Sequence, residues 1–235
     1  MIKFLNPSHV FNLTGKIINF IKIFIVPILI LGIIFSLFVS PEDYIQGDAA
    51  RIMYVHVPSA WIALSCFSFI SLLSIINFIF KIKSLSLIYK SLAPIGLIFN
   101  FIAIITGALW GKPTWGTLWA WDARLTSMLV LMLFYSMFIF SYKFIDNSNK
   151  SSKICTVISV LGLINLVIIK YSVDWWSTLH QPSSINLTGE TTVHSSMLVP
   201  LTIMLVVFFL YTALIFLMKY RIETIKVKKR SIKKL

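Results

Sequence analysis

The sequence predicts an all-α polytopic membrane protein with six transmembrane helices and both termini cytoplasmic. Composition is the first observation: of 235 residues, 58% are hydrophobic and 12% charged, with mean hydropathy +0.89. A soluble domain of this length has no core large enough to hide that much apolar surface. Periodicity is the second. Apolar runs near the roughly 20 residues needed to cross about 30 Å of hydrocarbon recur along the chain. They lack the period-two alternation of a membrane barrel, so the spans are helical. The third is a strong asymmetry of basic residues between alternate loops.

The spans can be taken in order. The first, 18–39, follows Lys3 and Lys16 but is longer than the apolar part of a secretory signal. No small-x-small cleavage pattern follows closely, so it reads as a permanent span. The second, 57–80, opens at Val57-Pro58, where proline suits a first helical turn. The third, 92–109, stops before Trp110-Gly111-Lys112-Pro113, and the fourth, 126–142, follows Asp122-Ala123-Arg124-Leu125. The fifth and sixth are 154–171 and 198–218. Without repeats or low-complexity tracts, residues 1–235 form a single integral membrane domain. Cys66 falls inside the second span and Cys155 at the opposite face in the fifth, so no disulfide is expected. The absence of CxxC and CxxCH excludes a thiol–disulfide oxidoreductase of the usual type and a covalent c-type haem carrier.

Charge sets the orientation. Six spans place both termini on one side with the loops 81–90 and 143–153, and that side holds all but four of the 21 basic residues. The four are Arg51, Lys112, Arg124 and Lys170, which face Glu42, Asp43, Asp48, Asp122, Asp174 and Glu190. The lysine-rich side is therefore cytoplasmic, and the loops 40–56, 110–125 and 172–197 are external. The tail Lys226, Lys228, Lys229, Arg230, Lys233 and Lys234 reads as a topology determinant touching lipid headgroups, not as a nucleic-acid patch.

All seven tryptophans fall on the external side: Trp61, then Trp110, Trp115, Trp119 and Trp121, then Trp175 and Trp176. An interfacial belt populates both membrane faces, as the tyrosines of this chain do, so the tryptophan asymmetry calls for a ligand platform. Three of four histidines, His56, His180 and His194, are external as well, and the fourth is His9. Imidazoles at His56 and His180, carried by separate loops beside the tryptophans, suit the two faces of an iron porphyrin. His9 and His194 read as ordinary hydrogen-bonded surface residues. Arg51 and Arg124 offer guanidinium groups to porphyrin propionates. Arg124 has a salt bridge to Asp122 or a lipid phosphate as its alternative role, and Asp122 a helix N-cap.

Trp115-Gly116-Thr117-Leu118-Trp119-Ala120-Trp121-Asp122-Ala123-Arg124-Leu125-Thr126 resembles the tryptophan-rich "WWD" motif of haem-handling membrane proteins in cytochrome c maturation. Its ending, Asp-Ala-Arg-Leu-Thr, is similar to that of the CcmC family, whereas haem lyases of the same superfamily continue with proline and an acidic residue. The segments Arg51-Ile52-Met53-Tyr54-Val55-His56-Val57-Pro58 and Trp175-Trp176-Ser177-Thr178-Leu179-His180-Gln181-Pro182 also resemble those holding that family's two external histidines. The resemblance covers essentially the whole chain.

It implies haem b, held transiently and non-covalently, with His56 and His180 as axial iron ligands and Trp115, Trp119, Trp121, Asp122, Arg124 and Arg51 as cofactor contacts. His194 matches no family ligand. The implied partners are the haem chaperone CcmE, the small protein CcmD and the CcmA/CcmB ATP-driven complex. The implied place is the bacterial inner membrane, with the site facing the periplasm and a haem-transfer role more than a classical enzymatic one. Two other classes stay open. A b-type electron-transfer cytochrome would carry histidines within its spans, and a small-solute permease would carry ionisable groups near the midplane; neither feature is expected here.

Overall fold

The computed structural model describes residues 7–82, 84–180 and 193–232. Six helices are long and apolar enough to cross a membrane, and they make this a multi-pass membrane protein. They are α1 (Pro7–Ile34), α2 (Met53–Phe80), α3 (Leu85–Trp115), α4 (Ala123–Phe144), α5 (Ser148–Trp175) and α6 (Ser195–Ile232). No strand forms among the described residues.

Helices α2 to α5 pack as a four-helix bundle, while α1 pairs with α6 and that pair leans on α2 and α3 through α6. The main core lies inside the bundle, where Phe67, Ile70, Leu131, Tyr135 and Phe138 are completely enclosed. Glycine allows the close approach at two crossings. Tyr135 occupies the place of the missing Gly96 side chain, and the Phe67 ring does the same at Gly162. The Tyr135 hydroxyl donates to the Ala63 carbonyl across 2.6 Å, so this large polar tip is satisfied inside the bundle. Cys66 and Cys155 are buried free thiols, in keeping with the expected absence of a disulfide.

Local chemistry sets the helix ends. After α1 a π-turn at Phe35–Val39 leads to Ser40, which takes an extended backbone ahead of Pro41. The next turn closes on the Asp43 carboxylate, which accepts from the Ile45 and Gln46 amides at 2.9 and 2.8 Å. Gly47 there has φ +56°, a conformation that glycine adopts at little cost. Gly116, at φ +77°, ends α3 in the same way.

Several helices run past the hydropathy boundaries. The loop expected at 110–125 is non-helical only from Gly116 to Asp122, because α3 keeps its backbone hydrogen bonds through Trp115. The expected loop 40–56 contains a 3₁₀ turn at Asp48–Ile52, and α2 begins at Met53. Burial explains that early start: Met53 and Tyr54 pack against Met197, Leu201 and Met204 of α6. Pro58 thus lies in the second turn of α2, not at its opening. The third loop, 172–197, is helical to Trp175, and its residues 181–192, including Gln181, Pro182 and Glu190, lie outside the described residues.

The glycine crossing gives a direct test of this packing. Gly162→Val would drive branched carbon into the Phe67 ring, at a cost of about 1–3 kcal/mol. Thermal unfolding in detergent should show a lower midpoint, partly recovered by adding Phe67→Leu; an unchanged midpoint would contradict the crossing.

Candidate functional site

The end of the bundle where α2 and α4 begin and α3 and α5 finish encloses a cavity of about 340 Å³. Helical periodicity makes two of its walls. Met53, His56, Val57, Ala60, Trp61 and Leu64 share one face of α2, and Ala103, Gly107, Gly111 and Trp115 recur every fourth residue on α3. Small side chains on α3 create the space, and aromatic ones bound it. Trp110, Thr114, Trp119, Arg124, Leu125, Met128, Ile169, Leu179, His180 and Leu201 are among the other lining residues. Arg124 is the one charged side chain among the described lining residues.

His56 stands in the first turn of α2 with Nδ1 3.1 Å from Thr106 Oγ1 of α3. The Thr106 hydroxyl donates its single proton to backbone carbonyl, at 2.7 Å from Ile102 O. Its oxygen is therefore an acceptor toward the ring, so His56 carries its proton on Nδ1 and keeps the Nε2 lone pair for a ligand. Gly107 backs the ring: a side-chain carbon there would lie 3.0 Å from His56 Cε1. Trp110 meets the same imidazole edge-on, with centroids 5.8 Å apart. The Trp110 indole N–H in turn donates to Gln46 Oε1 at 2.7 Å, from the turn that Asp43 closes.

His180 reaches the cavity from the segment after α5. Asp122 places it: Oδ1 accepts from the Leu125 amide at 2.8 Å, capping α4, and Oδ2 accepts from the Leu179 amide at 3.3 Å. One carboxylate thus joins the tryptophan segment to the histidine segment. Thr178 Oγ1 donates to the His180 carbonyl at 3.1 Å. The ring itself lies against Trp115, centroids 6.2 Å apart, and its Nδ1 is 3.0 Å from Arg124 Nη1.

The expected residues therefore divide. His56, His180, Trp115, Trp119 and Arg124 line one cavity. Trp121 does not; it is 77% exposed and meets Trp119 edge-on at 5.5 Å. Arg51 is also outside the lining, paired with Asp48 at 2.7 Å and donating to the Leu37 carbonyl. Asp122 commits both oxygens to backbone amides, the N-cap alternative. His194 caps the start of α6, with Nδ1 2.7 Å from Ser196 Oγ, and His9 belongs to the first turn of α1. The expectation that no spanning helix carries a histidine fails at His56, because α2 starts ahead of Pro58. Sequence reasoning passed over Thr106, Gly107 and the roles of Trp61 and Trp110; the four-residue recurrence of small residues on α3 was the available signal.

This donor set fits an iron porphyrin. It offers two imidazoles from different elements, a largely apolar and aromatic lining with Gln46 and Thr114 as further polar members, and, among the described residues, one guanidinium for acidic substituents. The buried Trp119 indole N–H has no partner within the described residues, a polar atom left for a ligand to satisfy. The fold and cavity together define a polytopic membrane protein with a two-histidine, tryptophan-walled site.

A family model described as "Heme exporter protein C" matches residues 1–234. Heme exporter protein C of Bradyrhizobium diazoefficiens is 37% identical over 232 residues, covering 99% of this chain and 88% of that protein. The Escherichia coli protein of the same name is 36% identical, covering 95% and 90%. A putative cytochrome c biosynthesis ccmC-like mitochondrial protein of Marchantia polymorpha is 41% identical, covering 81% of each chain. The chain belongs to the CcmC family of heme exporter C proteins.

The Thr106 contact predicts a measurable effect on its neighbour. Thr106→Val keeps the shape but removes the acceptor that fixes the His56 proton, so affinity for ferric haem should fall about 10–100-fold, as when other metal-binding histidines lose the partner that orients their ring. Thr106→Ser should restore it. Optical titration of the purified protein measures both, and equal affinities for Val and Thr would remove Thr106 from the site.

Proposed function

We propose that this protein binds haem at the external face of the bacterial inner membrane and delivers it to the haem chaperone CcmE for cytochrome c maturation. The observation that carries the reading is the convergence of His56 and His180 on one tryptophan-lined cavity with a single guanidinium. The basic-residue asymmetry supports cytoplasmic termini and a periplasmic site. The names of the relatives support haem as cargo, and the family resemblance extends the partners to CcmD and the CcmA/CcmB complex.

Each wall has a task in this reading. His56, set by Thr106, supplies an imidazole from α2, and His180 supplies the other from its loop. Trp61, Trp110, Trp115 and Trp119 provide flat apolar contact, each aromatic pair adding on the order of 1 kcal/mol beyond burial. Among the described residues the cavity lining has no cysteine, which favours a non-covalent hold on haem b and release to a partner. Trp121 projects beyond the cavity, where it is available for docking the chaperone rather than for holding the porphyrin. Bound haem supplies iron for coordination and a reactive vinyl edge; this chain positions them.

Purified protein should separate holding from presentation. His56→Ala and His180→Ala should each lose the six-coordinate spectrum, while His194→Ala keeps it. Trp121→Ala should retain haem yet lower covalent haem on co-expressed chaperone, measured by haem stain relative to haem bound by this protein. An unchanged six-coordinate spectrum in either histidine variant would remove that residue as a ligand.

A further inference from the structure

The two histidines of the cavity are held in opposite tautomers. A guanidinium has five N–H donors and no acceptor. The 3.0 Å contact from Arg124 Nη1 therefore falls on the lone pair of His180 Nδ1, and the neutral ring carries its proton on Nε2. His56 is the reverse, with its proton on Nδ1 facing Thr106 and the Nε2 pair available. One imidazole is ready to coordinate and the other is blocked at both nitrogens.

We propose that Arg124 is a latch on His180, released when the guanidinium is drawn to a carboxylate of the incoming cargo. The proposal rests on the haem reading above and adds an exclusion rule to it. Coordination through Nδ1 would consume the lone pair that Arg124 holds. Coordination through Nε2 requires that nitrogen to lose its proton and Nδ1 to gain one, exchanged with water, so the ring stays neutral. Nδ1–H would then face an arginine N–H, donor against donor. Either route breaks the Arg124–His180 bond. Since Arg124 is the sole charged side chain of the described lining, a propionate is the natural acceptor for the freed guanidinium. His180 then favours cargo that carries both a metal and an acidic group, because a metalloporphyrin without a free acid must break the latch without compensation.

The test uses full-length protein in detergent. With ¹⁵N-histidine labelling and no haem, His180, assigned by its loss in His180→Ala, should show protonated Nε2 and unprotonated Nδ1. In Arg124→Ala it should become a mixture of tautomers. Ferric protoporphyrin and its dimethyl ester are then titrated optically. Arg124→Ala should bind the diacid about 10–100-fold more weakly, having lost a charge-assisted pair. It should bind the ester about fivefold more tightly, having lost one hydrogen bond of about 1 kcal/mol that opposes ligation. A simple propionate clamp predicts no gain with the ester, and that result overturns the latch. A wild-type His180 protonated on Nδ1 overturns it too, whether or not the Arg124 variant folds. A six-coordinate haem spectrum unchanged in His180→Ala would instead overturn the ligand role of His180, which separates failure of the haem reading from failure of the latch.

Discussion

The Asp122 carboxylate is the joint on which the site depends. One oxygen caps α4 and so fixes where Arg124, two residues on, leaves the helix; the other holds the Leu179 amide and so fixes where His180, one residue on, arrives. An aspartate that only capped α4 would leave the segment carrying the second histidine without its backbone tie to the tryptophan segment. The same geometry explains why Asp122 need not touch a ligand to matter to one.

Around that joint the bundle changes character along its length. Toward the middle, glycine at 96 and 162 lets Tyr135 and Phe67 fill the interface completely. Toward the site face the small residues on α3 stay uncovered by partners of that size, and the gap becomes the cavity. His56 sits at the junction, seated on Gly107 and oriented by Thr106. A histidine seated on α2 and a loop-borne one tied to Arg124 make an asymmetric pair.

Hydropathy made the six spans legible because lipid leaves few alternatives to a self-satisfied helix. Their ends were less legible, since hydropathy reports the solvent around a segment and not the continuity of its backbone hydrogen bonds. Trp110 and Trp115 therefore belong to α3, and α6 runs on to Ile232 although its last turns are rich in lysine. The site was legible as residue types, with both histidines, Trp115, Trp119 and Arg124 in one cavity. Its couplings were not: Thr106 to His56 and Arg124 to His180 join positions 50 and 56 residues apart. Arg51 and Trp121 do not line the cavity: Arg51 pairs with Asp48 and donates to the Leu37 carbonyl, and Trp121 is exposed beside Trp119.

Two histidines on one porphyrin iron is the central claim, and magnetic resonance of the iron addresses it most directly. Pulsed EPR of the ferric haem complex, prepared with ¹⁵N-histidine protein, should give a low-spin centre coupled to two labelled imidazole nitrogens. A high-spin centre, or a low-spin one coupled to a single labelled nitrogen, would contradict it.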